Sequence, residues 1–192
     1  MVLKFLKKNG LNFVFFSLLL IILFVPEAKA MMLQGLMKVG FFSLKIEQTA
    51  EVSSDLSGIT FSNEKGQLVD LGNLKGKVIL INFWATWCPP CRAEMPGLDK
   101  LYKQFDKDKD VVFIFADADG DLDKSAKFMQ RHSYDFPIYK ITSNIPTKIF
   151  ESALPTTVIF DKQGRLSFRH EGMADYSDAK FVAFLNKLKG LN

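Results

Sequence analysis

Cys88 and Cys91 are the only cysteines in this chain of 192 residues, and two residues separate them. They stand in Trp84-Ala85-Thr86-Trp87-Cys88-Pro89-Pro90-Cys91, after an apolar run and before a stretch with helical spacing. A Cys-x-x-Cys at a strand-to-helix junction is a signature of dithiol redox chemistry. The reason is electrostatic. The first helical turn carries unpaired backbone N–H groups, and the helix dipole favours negative charge there. Cys88 at that position is therefore biased towards the thiolate, which is the attacking species. Cys91 follows one turn later, near enough to close a short disulfide. Pro89 suits the first helical position, where its missing N–H would be unpaired anyway. An inert structural disulfide is one alternative. Half of a metal site is another, but a structural zinc site takes four Cys/His ligands. Only His132 and His170 are left to supply them, both distant in sequence.

The elements that must position this pair are legible in the apolar pattern. Val78-Ile79-Leu80-Ile81 is continuous rather than alternating, as in a central strand covered on both faces. It predicts a strand over residues 77–85. Met95, Leu98, Leu101, Tyr102 and Phe105 recur at helical spacing and predict a helix over 90–105, with Pro96 expected to kink it. Upstream, residues 58–62 and 67–70 flank Asn63-Glu64-Lys65-Gly66 and read as a β-hairpin. Downstream, strands are predicted at 110–116, 136–141, 156–161 and 165–171, and helices at 121–132 and 177–189. Asp121 is a natural N-cap for the first of these helices. The order is that of an α/β domain: a central sheet covered by helices on both sides.

The first 30 residues have a different character. Lys4, Lys7 and Lys8 precede an almost wholly apolar run over residues 11–25, ended by Pro26. Ala28-Lys29-Ala30 fits a small-x-small cleavage pattern. Two readings fit: a cleaved signal peptide, or an uncleaved anchor that tethers the chain to a membrane through Leu11 and its neighbours to Val25. The run is short of the roughly 20 residues that span a bilayer. Either reading exports the rest of the chain, to a periplasm or the outer face of the cytoplasmic membrane. Residues 31–54 read as a linker or an extra strand, and residues 55–192 as one domain. Three of the four net positive charges lie in the first 30 residues. The remainder has no basic face, so no nucleic-acid partner is expected.

Asn82-Phe83-Trp84 through Cys91, followed by Arg92-Ala93-Glu94-Met95-Pro96, resembles the TlpA/ResA-type branch of exported thioredoxin-like thiol–disulfide oxidoreductases. Gly76-Lys77 and Leu154-Pro155-Thr156-Thr157 fit the same branch. The resemblance implies a thioredoxin fold, a central mixed sheet flanked by helices with an N-terminal β-hairpin. It implies roles by matched position: Cys88 as nucleophile, Cys91 as buried resolving thiol, and Pro155 as a cis-proline facing their redox disulfide. Leu154 would offer backbone hydrogen bonds to a partner segment. From the sequence alone Pro155 reads merely as a strand-start proline. Glu94 would tune the thiols or move a proton; otherwise it is a solvated carboxylate near a helix start. Asn82 stands where cytosolic thioredoxins have a buried aspartate. Trp84 and Trp87 are expected to pack around the site, and His132 and His170 to be surface or strand residues. No metal, flavin or nucleotide is required. The implied partners are exported proteins with disulfides, cytochrome-c precursors among them, and a membrane thiol-transfer electron donor. Two other readings stand beside this one: a peroxiredoxin-like peroxidase, suggested by Thr86 before Cys88, and a copper chaperone using His170.

Overall fold

The computed structural model describes residues 2–39 and 55–191. Among the described residues, seven strands form one mixed sheet: β1 Thr60–Asn63, β2 Leu68–Asp70, β3 Val78–Trp84, β4 Val111–Asp117, β5 Ile138–Ile141, β6 Thr156–Phe160 and β7 Leu166–Glu171. Their spatial order is β2-β1-β5-β4-β3-β6-β7. The helices are α1 Val2–Phe24, α2 Pro26–Lys38, α3 Pro89–Phe105, α4 Leu122–His132 and α5 Ala179–Lys189.

β3 is central and wholly buried. It runs parallel to β4, and β4 runs parallel to β5. On its other side β3 meets β6 antiparallel, with Asn82 opposite Thr157 and Phe83 opposite Thr156. Alternate residues of β3 face two cores. Val78, Leu80 and Trp84 join Met95, Leu98 and Leu101 of α3, Phe128 of α4, and Phe181 and Leu185 of α5. Ile79, Ile81 and Phe83 join Leu56, Leu71 and Ile149 on the opposite face. The three helices that follow β3 thus pack on one face, not on both as the element order suggested. Loops and a 3₁₀ turn at Leu71–Leu74 supply the other core. β1 and β2 pair antiparallel across a turn with Gly66 at φ +74°, the left-handed region that glycine enters without strain.

α3 continues through Pro96. Gly97 beside it has a structural reason. A Cβ there would stand 3.3 Å from the Asp175 carboxylate and 3.5 Å from the Tyr176 backbone nitrogen. The absent side chain lets the segment between β7 and α5 close onto α3. Asp121 caps α4 by accepting from the Lys124 N–H, as its sequence position suggests.

Residues 26–38 form a helix, where the sequence suggested a cleavage site followed by a linker or strand. Within the segment 31–54, read as a linker or an extra strand, residues 40–54 lie outside the described residues. α1 and α2 meet at Val25 with a bend of 96°. Among the described residues no single helix is long and apolar enough to cross a membrane, although this bent pair passes by length and composition.

The burial pattern sets a stability contrast. Phe181 is fully buried between Phe168 and Tyr176, and Phe181→Ala is expected to cost about 3–5 kcal/mol. Asp121→Ala removes one cap and should cost about 1 kcal/mol. Urea unfolding of the two variants checks both the order and the gap.

Candidate active site

The cysteine pair sits where β3 gives way to α3, at the carboxyl end of the parallel strands. Cys88 is the N-cap of α3: its backbone is extended, and its Sγ accepts a hydrogen bond from the Cys91 N–H at 3.2 Å. Its own N–H bonds back to Ala85, and its carbonyl accepts from Arg92. Cys88 and Cys91 are joined as a disulfide. Cys88 is only 3% exposed, and Cys91 is fully buried. Pro89 and Pro90 occupy the first two helical positions. Neither has an N–H, so Cys91 provides the first donor of the helix, and it points at Cys88 Sγ.

The Leu154–Pro155 peptide bond is cis. β6 begins directly after it, with Thr156 opposite Phe83, which sets Pro155 level with the end of β3. The Pro155 carbonyl accepts from the Gly172 N–H at 2.8 Å, tying this turn to the end of β7. Leu154 is half-buried and packs against both cores.

Behind the dithiol lies a buried polar cluster. Glu94, three residues after Cys91 on α3, is 0% exposed. The reading of Glu94 as a solvated carboxylate is overturned. Asn82 Nδ2 donates to Glu94 Oε1 at 2.7 Å and to Thr157 Oγ1 at 2.9 Å. The Ala174 N–H points at Glu94 Oε2 at 3.4 Å. The Tyr176 hydroxyl lies near Thr157 and Glu94 but stops short of a hydrogen bond. Burial raises the Glu94 pKa well above its ordinary 4.5, and the bonds from Asn82 and Ala174 only partly oppose this. Burial likewise pushes the Tyr176 hydroxyl up, with the Glu94 charge adding to it. A raised carboxyl held next to a dithiol is a group able to exchange protons with a thiol.

The two tryptophans differ. Trp84 is buried and packs against Phe128. Trp87 is 56% exposed, contrary to the expected packing, with its indole N–H on Asp119 Oδ2 at 2.7 Å. It stands beside Cys88 as an open apolar surface. His132 is exposed at the end of α4. His170 lies half-buried on β7, opposite Thr157.

Comparison with known proteins now decides the family. Residues 51–182 match the Redoxin family. The chain belongs to the Redoxin family. It is 37% identical over 126 residues to the "Thioredoxin-like protein YneN" of Bacillus subtilis, covering 65% of this chain and 72% of that one. It is 32% identical over 131 residues to the "Thiol-disulfide oxidoreductase ResA" of Bacillus cereus, covering 66% and 72%. A crystal structure of a thioredoxin-family thiol:disulfide interchange protein from Chlorobium tepidum shares the fold. Its TM-score is 0.56 at 22% identity, over 73% of this chain and all of that one. This Redoxin-family chain is thus a thiol–disulfide oxidoreductase of thioredoxin fold, and the resemblance to the ResA-type branch holds.

Thr157, Tyr176, Ala174 and Asp119 were not singled out in the sequence. Thr157 could have been found, since it lies within the Leu154-Pro155-Thr156-Thr157 motif. The others depend on loops whose docking no local pattern reports.

Glu94 makes stability depend on pH. Between pH 4.5 and its raised native value, the native carboxyl keeps a proton that the unfolded chain has lost. The native state then binds more protons, so stability falls as pH rises through that window. Asp117, also raised by burial, adds a slope of the same sign. Glu94→Gln should flatten the slope, leaving the Asp117 contribution. Urea unfolding of the oxidised protein at a series of pH values reads the difference; equal slopes would place the buried Glu94 proton in doubt.

Proposed function

We propose that this protein reduces disulfides in exported proteins, receiving its electrons from a membrane thiol-transfer partner. Reduced Cys88 attacks a substrate disulfide as the thiolate. One substrate sulfur leaves as a thiolate and takes a proton from water; the other stays bonded to Cys88. Glu94 in its ionised form takes the Cys91 proton, a transfer its raised pKa favours, and Cys91 then attacks Cys88 Sγ. The second substrate thiolate departs, and the Cys88–Cys91 disulfide remains. Two electrons have passed to the substrate, and the membrane partner restores them by the reverse exchange.

The observation that carries the direction is the donor count at Cys88. Pro89 and Pro90 leave the Cys91 N–H as its donor from the first helical turn. A thiolate with few donors is weakly stabilised, and a weakly stabilised reduced form makes a reducing pair. Glu94 serves this role as proton carrier, and Asn82 and Thr157 hold it in place. Trp87, Leu154 and Pro155 border the sulfur and form the surface that receives the partner segment. Export is supported by the lysine-led apolar N-terminus. Outside the cytosol a dithiol is not kept reduced by the surroundings, so a dedicated donor is required. Cytochrome-c precursors, which carry cysteine pairs, are proposed among the substrates on the ResA-type resemblance.

The equilibrium potential against glutathione tests the direction. A value near thioredoxin's, about −270 mV, is expected; one near about −120 mV would make the protein an oxidant instead. Pro89→Gly restores one N–H near Cys88 and should shift the potential upward. Cys88→Ser is expected to abolish disulfide reduction, whereas Cys91→Ser should accumulate a mixed disulfide visible by non-reducing electrophoresis. A fully active Cys88→Ser variant would overturn the mechanism.

A further inference from the structure

α2 packs on α3 beside the dithiol, and three observations explain the contact. Pro96 has no N–H, so the Arg92 carbonyl four residues earlier loses its helical donor. Gln34 of α2 points its side-chain amide at that carbonyl, at 3.5 Å. The Arg92 side chain is only 9% exposed and lies over the Phe128 ring at 5.3 Å. Its guanidinium donates to Glu27 of α2 at 2.9 Å. That bond holds Glu27 below the usual carboxylate range. Ala30 is buried between these two polar contacts. A groove lined by Glu27, Arg92 and Thr86 carries the contact up to the turn before Cys88.

The side of α2 turned from α3 is open: Met32 is exposed there, and Met31, at the rim of the groove between the two helices, is 71% exposed. At its start α2 turns 96° from α1. In α1, the consecutive residues Phe13, Val14, Phe15 and Phe16 are all exposed, so apolar side chains lie round the helix rather than along one stripe. A helix apolar on every side needs an apolar surrounding. The uncharged stretch 9–24 measures roughly 24 Å, against about 30 Å of bilayer hydrocarbon. Lysines at a helix end reach to the lipid headgroups and extend the usable length. A helix set at right angles to one inserted in a bilayer lies along the bilayer surface.

We propose that α2 lies flat between the lipid surface and α3, and holds the Trp87–Cys88 edge of the domain at the membrane. Met32 faces the lipid and Met31 stands at the rim of the contact, while Glu27, Ala30 and Gln34 grip α3. The chain enters the bilayer at Val25, two residues before the ion pair to Arg92 and hence close to the redox junction. The domain is therefore not swung on a loose tether. Its reactive edge waits where a membrane-embedded dithiol would present itself. This rests on the exported, membrane-held reading above.

The full chain in nanodiscs of phosphatidylethanolamine and phosphatidylglycerol tests this. The protein is kept reduced, and some headgroups carry a nitroxide quencher. Trp87 is one of two tryptophans, and Trp84 is buried, so quenching reports on Trp87, with Trp87→Phe as the blank. Wild type should be quenched, and its α2 amides should exchange with deuterium as slowly as those of α3. Ala30→Arg should release α2, speed that exchange and lower the quenching severalfold, with reduction of a soluble disulfide substrate unchanged. Fast α2 exchange in wild type, or unquenched Trp87 in a sample active on the soluble substrate, would overturn the docking. A sample that is quenched yet cannot reduce the soluble disulfide would support the docking and overturn the reductase reading.

Discussion

Everything at the reactive edge depends on one sulfur serving two purposes. Cys88 caps α3, and it is the atom expected to attack. A cap must sit on extended backbone just before the helix, with its side chain turned towards the first free N–H. That requirement places Cys88 at the end of β3, and β3 can end there only because the sheet on both sides fixes its register. β4 runs parallel and ends level with the site, and antiparallel β6 begins there, with Pro155 just before it. The prolines after Cys88 fit the helix start and at the same time withhold two donors. One local choice of residues therefore serves the fold and the proposed redox poise together.

The polar cluster beneath the pair has an opposite logic. Burying Glu94 away from water disfavours its charged form, and the two donors it receives do not fully compensate. Cross-strand register brings Asn82 and Thr157 face to face, so their side-chain bond follows from the sheet itself. The third contributor arrives differently. Gly97 lets the segment after β7 approach α3, and this brings the Ala174 N–H and the Tyr176 ring to the carboxyl. A larger residue at position 97 would lift that segment and loosen the Glu94 cage. Glu94 is thus held by a strand, a helix and a loop at once, which suits the proposed role of a proton carrier that keeps its place.

Much of this was legible before any coordinates. Continuous apolar runs announced β3 and β4 because both faces of a central strand are covered, and the helical spacing on α3 announced its buried side. The dithiol was legible from spacing alone, and the cis geometry at Pro155 through the family resemblance. Glu94 was half-legible. It lies on the same helical stripe as Leu98, Leu101 and Phe105, so its burial could have been read from position, but a carboxylate is the residue least expected there. The exposure of Trp87 was not legible, because it follows from a hydrogen bond to Asp119 at the end of a different strand. Nor was the grouping of Tyr176 with Glu94, which depends on how a loop packs rather than on any pattern within it.

Pro96 joins these levels. Within a helix it removes one hydrogen bond and strands a carbonyl, a defect that an isolated helix would leave to water. Here the stranded carbonyl belongs to Arg92, and α2 meets both its ends: Gln34 at the carbonyl and Glu27 at the guanidinium. Neither contact would hold a helix alone. An exposed side-chain pair contributes at most about 1 kcal/mol, and a 3.5 Å hydrogen bond contributes little. Their value lies in being coupled through one residue, with Ala30 packed between them. Arg92 is nearly buried with α2 in place and has Glu27 as its carboxylate, so undocking α2 would break the ion pair, the carbonyl contact and the cover over the guanidinium together. The defect in α3 and the buried cation beside the dithiol therefore both point outward to the same helix, and that helix continues directly into the apolar N-terminus.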